Sequence, residues 1–128
     1  MGITTAGKVK VANLIGLNTT ASGVTFGYPA IGSGAGASTA FAVGQTDLQG
    51  AVKVRQLWST NSGTQAVTAT DTLTTVTTFT FGTTATVEEV GFFSAATVGT
   101  MLCRTVITGI VCTAPNDTLQ VTITVQMT

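Results

Sequence analysis

From Thr118 to Met127 the sequence alternates without a break. Leu119, Val121, Ile123, Val125 and Met127 share one parity, and Thr118, Gln120, Thr122, Thr124 and Gln126 share the other. Successive side chains of a strand point to opposite faces, so this stretch reads as a strand with one apolar face and one uncharged polar face. Leu119, Val121, Ile123 and Val125 are therefore expected in a core, with Thr122 and Thr124 facing solvent or a neighbouring subunit. Ala114-Pro115-Asn116-Asp117 stands just before it, with Pro at the second position favoured by a type I turn.

Shorter stretches repeat the pattern. Period-two patterning or β-branched and aromatic runs predict strands near 24–28, 51–59, 73–81, 87–93 and 101–107, besides 118–127. Val87-Glu88-Glu89-Val90-Gly91-Phe92-Phe93 ends apolar on both parities, which suits a strand buried on both faces. Gly, Asn, Ser and Thr fill the gaps, and residues 32–39 read as a flexible loop. The expected fold is all-β: a single antiparallel β-sandwich or jelly-roll-like domain over residues 21–128. Residues 1–20 form an N-terminal arm. Within it Val11, Leu14 and Ile15 sit at helical spacing with Gly16 as a stop, favouring a short amphipathic helix over 6–15 against the strand that Lys8, Val9, Lys10 and Val11 would allow.

Charge narrows the function. Five Lys+Arg and five Asp+Glu make 8% of the 128 residues, against roughly 25% in ordinary domains. Zero net charge offers no basic surface for phosphates, so no nucleic-acid partner is expected. With no His there is no His-containing triad, His-ligated zinc or imidazole base. No apolar run reaches the ~18–20 residues of a membrane helix, and residues 8–17 lack a small-x-small cleavage site, so neither membrane nor signal peptide is expected.

The remaining candidates read as structural. Gly32-x-Gly34-x-Gly36 has Ala37 where a dinucleotide fingerprint needs its third Gly, and no helical pattern follows. Glu88 and Glu89 are adjacent, so as strand neighbours they point apart and cannot form a catalytic dyad. One of them is expected to face inward or into an interface, with Arg104 on the following strand as an ion-pair partner. Asp47, Asp71 and Asp117 lie in turn-like contexts and are expected to bond nearby backbone N–H groups. No acid or cysteine cluster has metal-ligand spacing, and no cofactor is expected. Trp58, Tyr28 and the six Phe read as core. Cys103 and Cys112 read as two small buried thiols, with a bridge left open if the chain loops loosely between them.

Twenty-nine residues are Thr, and so few charges cannot cover a surface. Much of the outside must then be Thr, Ser, Gln, Asn and Ala. Such a face suits packing against other subunits, because few charges need desolvating.

Several stretches then carry a family likeness. They are Gly7-Lys8-Val9-Lys10-Val11-Ala12-Asn13-Leu14-Ile15, Ala40-Phe41-Ala42-Val43-Gly44-Gln45-Thr46-Asp47-Leu48, Val87-Glu88-Glu89-Val90-Gly91-Phe92-Phe93-Ser94-Ala95-Ala96, Gly99-Thr100-Met101-Leu102-Cys103-Arg104 and Asn116-Asp117-Thr118-Leu119-Gln120-Val121-Thr122. Together they resemble small virion proteins of tailed bacteriophages, of the capsid cement or decoration type. The chain departs at Leu48-Gln49-Gly50, where such sequences tend to carry an acid. The resemblance implies a non-enzymatic subunit, made in the host cytoplasm and placed on the capsid exterior. It implies the major capsid protein as partner and self-association, with a trimer favoured. The interface residues expected under it are Lys8, Lys10, Leu14, Ile15 and Leu17 in the arm and Thr122 and Thr124 on the last strand. The alternative is a tail or tail-fibre component, contacting host glycans through its loops.

Overall fold

The computed structural model describes residues 26–59, 63–68 and 72–126. The described chain is all-β, and no helix occurs among these residues. Seven strands run β1 (Tyr28–Ser33), β2 (Val52–Arg55), β3 (Thr64–Thr68), β4 (Thr72–Thr80), β5 (Ala85–Phe93), β6 (Met101–Cys112) and β7 (Thr118–Gln126). They form a four-stranded sheet in the order β2-β1-β5-β6 and a three-stranded sheet in the order β3-β4-β7, antiparallel throughout. The two sheets form a small β-sandwich.

The alternation that predicts β7 sets its register against β4. Nine successive pairs run from Thr72↔Gln126 to Thr80↔Thr118 with no irregularity. Val121 is buried, Leu119, Ile123 and Val125 are half-buried, and Thr122 and Thr124 are exposed, as the parity requires. Leu73, Thr75, Thr77 and Phe79 of β4 face the same interior. Ile31, Val87, Phe79, Phe81, Cys112 and Val121 form the larger cluster between the sheets, and Phe26, Leu73 and Phe92 the smaller. The two buried threonines are satisfied there: Thr75 donates to Gln65 Oε1 at 3.0 Å, and Gln56 Nε2 donates to Thr77 Oγ1 at 3.4 Å.

Strand β5 is buried on both sides, and a bulge switches its parity between Val87 and Glu89. Pairing slips between Glu89↔Gly32 and Val87↔Ser33 on one edge, and between Val87↔Ile110 and Glu89↔Val106 on the other. An extra residue in a strand re-aims the side chains beyond it. Val87 and Phe92 thus face the inter-sheet core, while Glu89 and Phe93 face the opposite side of the sheet. That second side is covered by residues 34–50, which lay Leu48 on Ala30 and Phe93.

Several local details differ from expectation. The first strand begins at Tyr28, where the expected 24–28 ends, and runs through Pro29 to Ser33. Pro29 sits near the start of the strand, where its carbonyl still accepts the Gln56 N–H and pairing continues to the Trp58 N–H and the Gly27 carbonyl, so the proline forfeits only the return bond to Gln56. Strand β6 continues through Thr108-Gly109 to Cys112, with the glycine at the bulge rather than in a turn. The turn before β7 carries a cis Ala114–Pro115 bond, so it is not type I. Strand β3 is short and polar and has no apolar period to announce it.

Candidate interaction surface

Charge is unevenly placed. Asp47, Lys53, Arg55, Glu89 and Arg104 all gather on the covered side of the four-stranded sheet. Glu89 pairs across strands with Val106 and Arg104 with Gly91, which makes the two charges diagonal neighbours on one face. Arg104 Nε donates to Glu89 Oε2 at 2.5 Å, and both side chains are 0% exposed. This is the ion pair that the sequence suggests, with Glu89 as the inward member and Glu88 half-buried.

The pair also organises the covering segment. Glu89 accepts the Gly50 N–H at 2.6 Å and the Gln49 N–H at 3.1 Å. Arg104 donates to Gln45 Oε1 at 3.1 Å, the Thr39 carbonyl at 2.8 Å and the Ala37 carbonyl at 3.4 Å. The stretch 32–39, a flexible loop by composition, is therefore tied at its carbonyls, and Ala37 is fully buried. Two glycines make this possible. A Cβ at Gly32 would fall on the Glu89 carboxylate, and Gly36 holds φ 92° with its missing Cβ directed at the Gln49 carbonyl. Among the described residues no buried side-chain nitrogen or oxygen lacks a partner.

A second network lies beside it. Arg55 stacks on Phe93, 3.6 Å from the ring centroid, and bonds Asp47 at 2.8 Å and the Ala95 and Thr97 carbonyls. Lys53 reaches Asp47 at 3.0 Å. Partial burial works to raise the Asp47 carboxyl, but hydrogen bonds from Lys53, Arg55 and the Leu48 N–H outweigh it and hold the carboxyl below its ordinary value. The expected backbone bonds of Asp47 and Asp117 are present, to the Leu48 and Thr113 N–H groups. Asp71 lies outside the described residues.

The outer face of the three-stranded sheet is the reverse. Thr72, Thr74, Val76, Thr78 and Thr80 of β4 lie between Thr64 and Ala66 of β3 and Thr118, Gln120, Thr122, Thr124 and Gln126 of β7. No charged residue interrupts this face among the described residues. Thr122 and Thr124, the strand members of the expected interface, sit within it and are exposed. Lys8, Lys10, Leu14, Ile15 and Leu17, with the expected helix, lie outside the described residues.

Both cysteines are free thiols, Cys112 buried and Cys103 exposed. They stand on one continuous strand. Nine residues at ~3.3 Å each separate them far beyond bridging reach. Burial pushes the Cys112 thiol up, and Asp117 adds to the effect. Of the aromatics, Phe41 is exposed at 55% and Tyr28 and Trp58 are half-buried, so core packing accounts for the other five Phe. No group of three or more His, Cys, Asp or Glu among the described residues could hold a metal ion. No family model, curated protein or solved structure matches the chain.

Proposed function

We propose that this protein is a structural subunit of a tailed-phage virion: a capsid cement protein that binds the outside of the major capsid lattice and stabilises the shell. The resemblance of the sequence supplies the virion. The observation that supports a packing role is the separation of charge, with five charged side chains spent on holding residues 34–50 and an uncharged Thr/Gln sheet face left outside.

Docking that face removes hydroxyls and amides from water but no ions, so association loses little to desolvation. A clamp of this kind should bury more than the ~1,000 Å² that marks a specific interface. Repetition over a lattice then multiplies modest contacts into stable retention. The arm, with Lys8, Lys10, Leu14, Ile15 and Leu17, supplies a second contact in this reading. No catalytic turnover and no cofactor are part of it.

The test compares particles assembled with and without the protein under heat and osmotic shock. Particles lacking it should release DNA sooner, and added protein should restore them. Protein lacking residues 1–17 should restore them less. Equal resistance of the two kinds of particle would overturn the cement role, and recovery of the protein on tails would put the tail component in its place.

A further inference from the structure

Among the described strands, four edges bound the two sheets, and three are protected against pairing with another chain. Strand β2 has four residues and carries Lys53 and Arg55. Strand β3 has five residues. Strand β6 is long, but its register with β5 shifts twice. Short length, charge and bulges are the means by which proteins blunt such edges. Strand β7 has none of them: nine residues, no charge, no Pro and an unbroken register with its one neighbour among the described strands.

The direction of its free backbone groups follows from the ladder. The Phe81 N–H bonds the Asp117 carbonyl, which makes that a hydrogen-bonded pair. Antiparallel ladders alternate, so Leu119, Val121, Ile123 and Val125 turn their backbone groups to β4. Gln120, Thr122 and Thr124 turn theirs outward. The side chains beside this edge are also apolar on the inner face: Val121 and Ile123 line a cleft of about 340 Å³ with Val90 and Ile107, open between β6 and β7.

We infer that β7 is a self-association edge, and that its occupant is β7 of a second copy, antiparallel about a two-fold axis at Thr122. Strand addition of this kind takes its affinity from main-chain hydrogen bonds and its register from alternate side chains. The sequence is self-complementary in that register. Thr122 meets Thr122 of the copy, Gln120 meets Thr124, Val121 meets Ile123 and Leu119 meets Val125. Apolar side chains fall on one face and Thr/Gln on the other, and no like charges meet. The outward backbone groups of Gln120, Thr122 and Thr124 are the ones brought together. An isologous contact closes on itself, so it yields a dimer with one six-stranded sheet, in place of the trimer that the resemblance implies. The inference does not depend on the capsid reading, since it concerns the isolated protein.

Molar mass by sedimentation equilibrium tests it, on the full chain and three variants, with circular dichroism confirming the fold of each. Thr122→Pro removes an outward N–H without touching the β4 ladder, a place where an edge strand tolerates Pro. Thr122→Lys sets two like charges opposite each other across the axis. Thr64→Lys places the same charge on β3. The wild type and Thr64→Lys should be dimers, and both Thr122 variants should dissociate at least about tenfold more readily, which corresponds to ~1.4 kcal/mol. A monomeric wild type would overturn the inference, as would Thr122 variants that self-associate unchanged. A wild-type monomer that dimerises only after removal of residues 1–25 would likewise overturn it, by giving the edge to the chain's own N-terminal residues.

Discussion

Glu89 and Arg104 meet at 2.5 Å with neither side chain exposed, and between them they hold five groups of the segment that covers them. A buried pair gains little over a well-packed apolar pair, but a single buried charge left behind is costly. Arg104→Met alone should therefore destabilise the fold by about 3–5 kcal/mol, and Glu89→Gln by a similar amount. Combining the two should cost less than the sum. Urea unfolding of the two single variants and the double variant measures this, and strict additivity would mean that the charges do not act as a pair.

Asp47 gives the fold a component that fades in acid. Its carboxyl is held below its ordinary value in the folded chain, so its contribution is fully present above the unfolded value near ~3.9 and is lost as pH falls through the lowered folded value. Wild type should exceed Asp47→Asn in urea midpoint at about pH 6, and the gap should narrow as pH falls below the unfolded value near ~3.9. A gap that stays constant or widens on acidification would contradict the Lys53 and Arg55 contacts as its source.

The thiols should differ in reactivity. Burial pushes both thiols up, with Asp117 adding to the effect at Cys112, so the difference rests on access: Cys103 is exposed and Cys112 is buried. Folded protein should release one equivalent of chromophore quickly from a thiol-reactive disulfide, and the second only on unfolding. A raised thiol also stabilises the fold below its unfolded value near ~8.5 and withdraws that stabilisation as pH rises further. Cys112→Ser should abolish the slow phase alone; loss of the fast phase would reverse the assignment.

The parts of this fold that rest on period two are plain in the sequence. Strand β7 follows from alternation and β4 from its β-branched and aromatic run, and Phe92 and Phe93, apolar on both parities, announce a strand covered on both faces. The Glu89–Arg104 pair was legible because few charges are available to partner each other. Thr75 and Thr77 were not legible as core, since a threonine suits either face of a sheet and only Gln65 and Gln56 decide the matter. The covering segment was hidden for a different reason. Its Gly, Ala, Ser and Thr look like an open loop, and the contacts that fix it are backbone groups meeting Glu89 and Arg104, which leave no mark on side-chain pattern. Pro29 misleads because its cost depends on the ladder beside it, not on the residue alone.

The uncharged face of the three-stranded sheet is the proposed docking surface. Its most direct test is the occupancy of Thr74→Arg on virion particles assembled without the protein. Thr74 lies on the central strand β4, opposite Thr124 and clear of the β7 edge. Ser38→Arg, on the exposed part of the covering segment, is the control. Burying an unpaired charge costs several kcal/mol, so Thr74→Arg should bind at least about tenfold more weakly than wild type, with Ser38→Arg unchanged. Equal occupancy of Thr74→Arg and wild type would contradict the account.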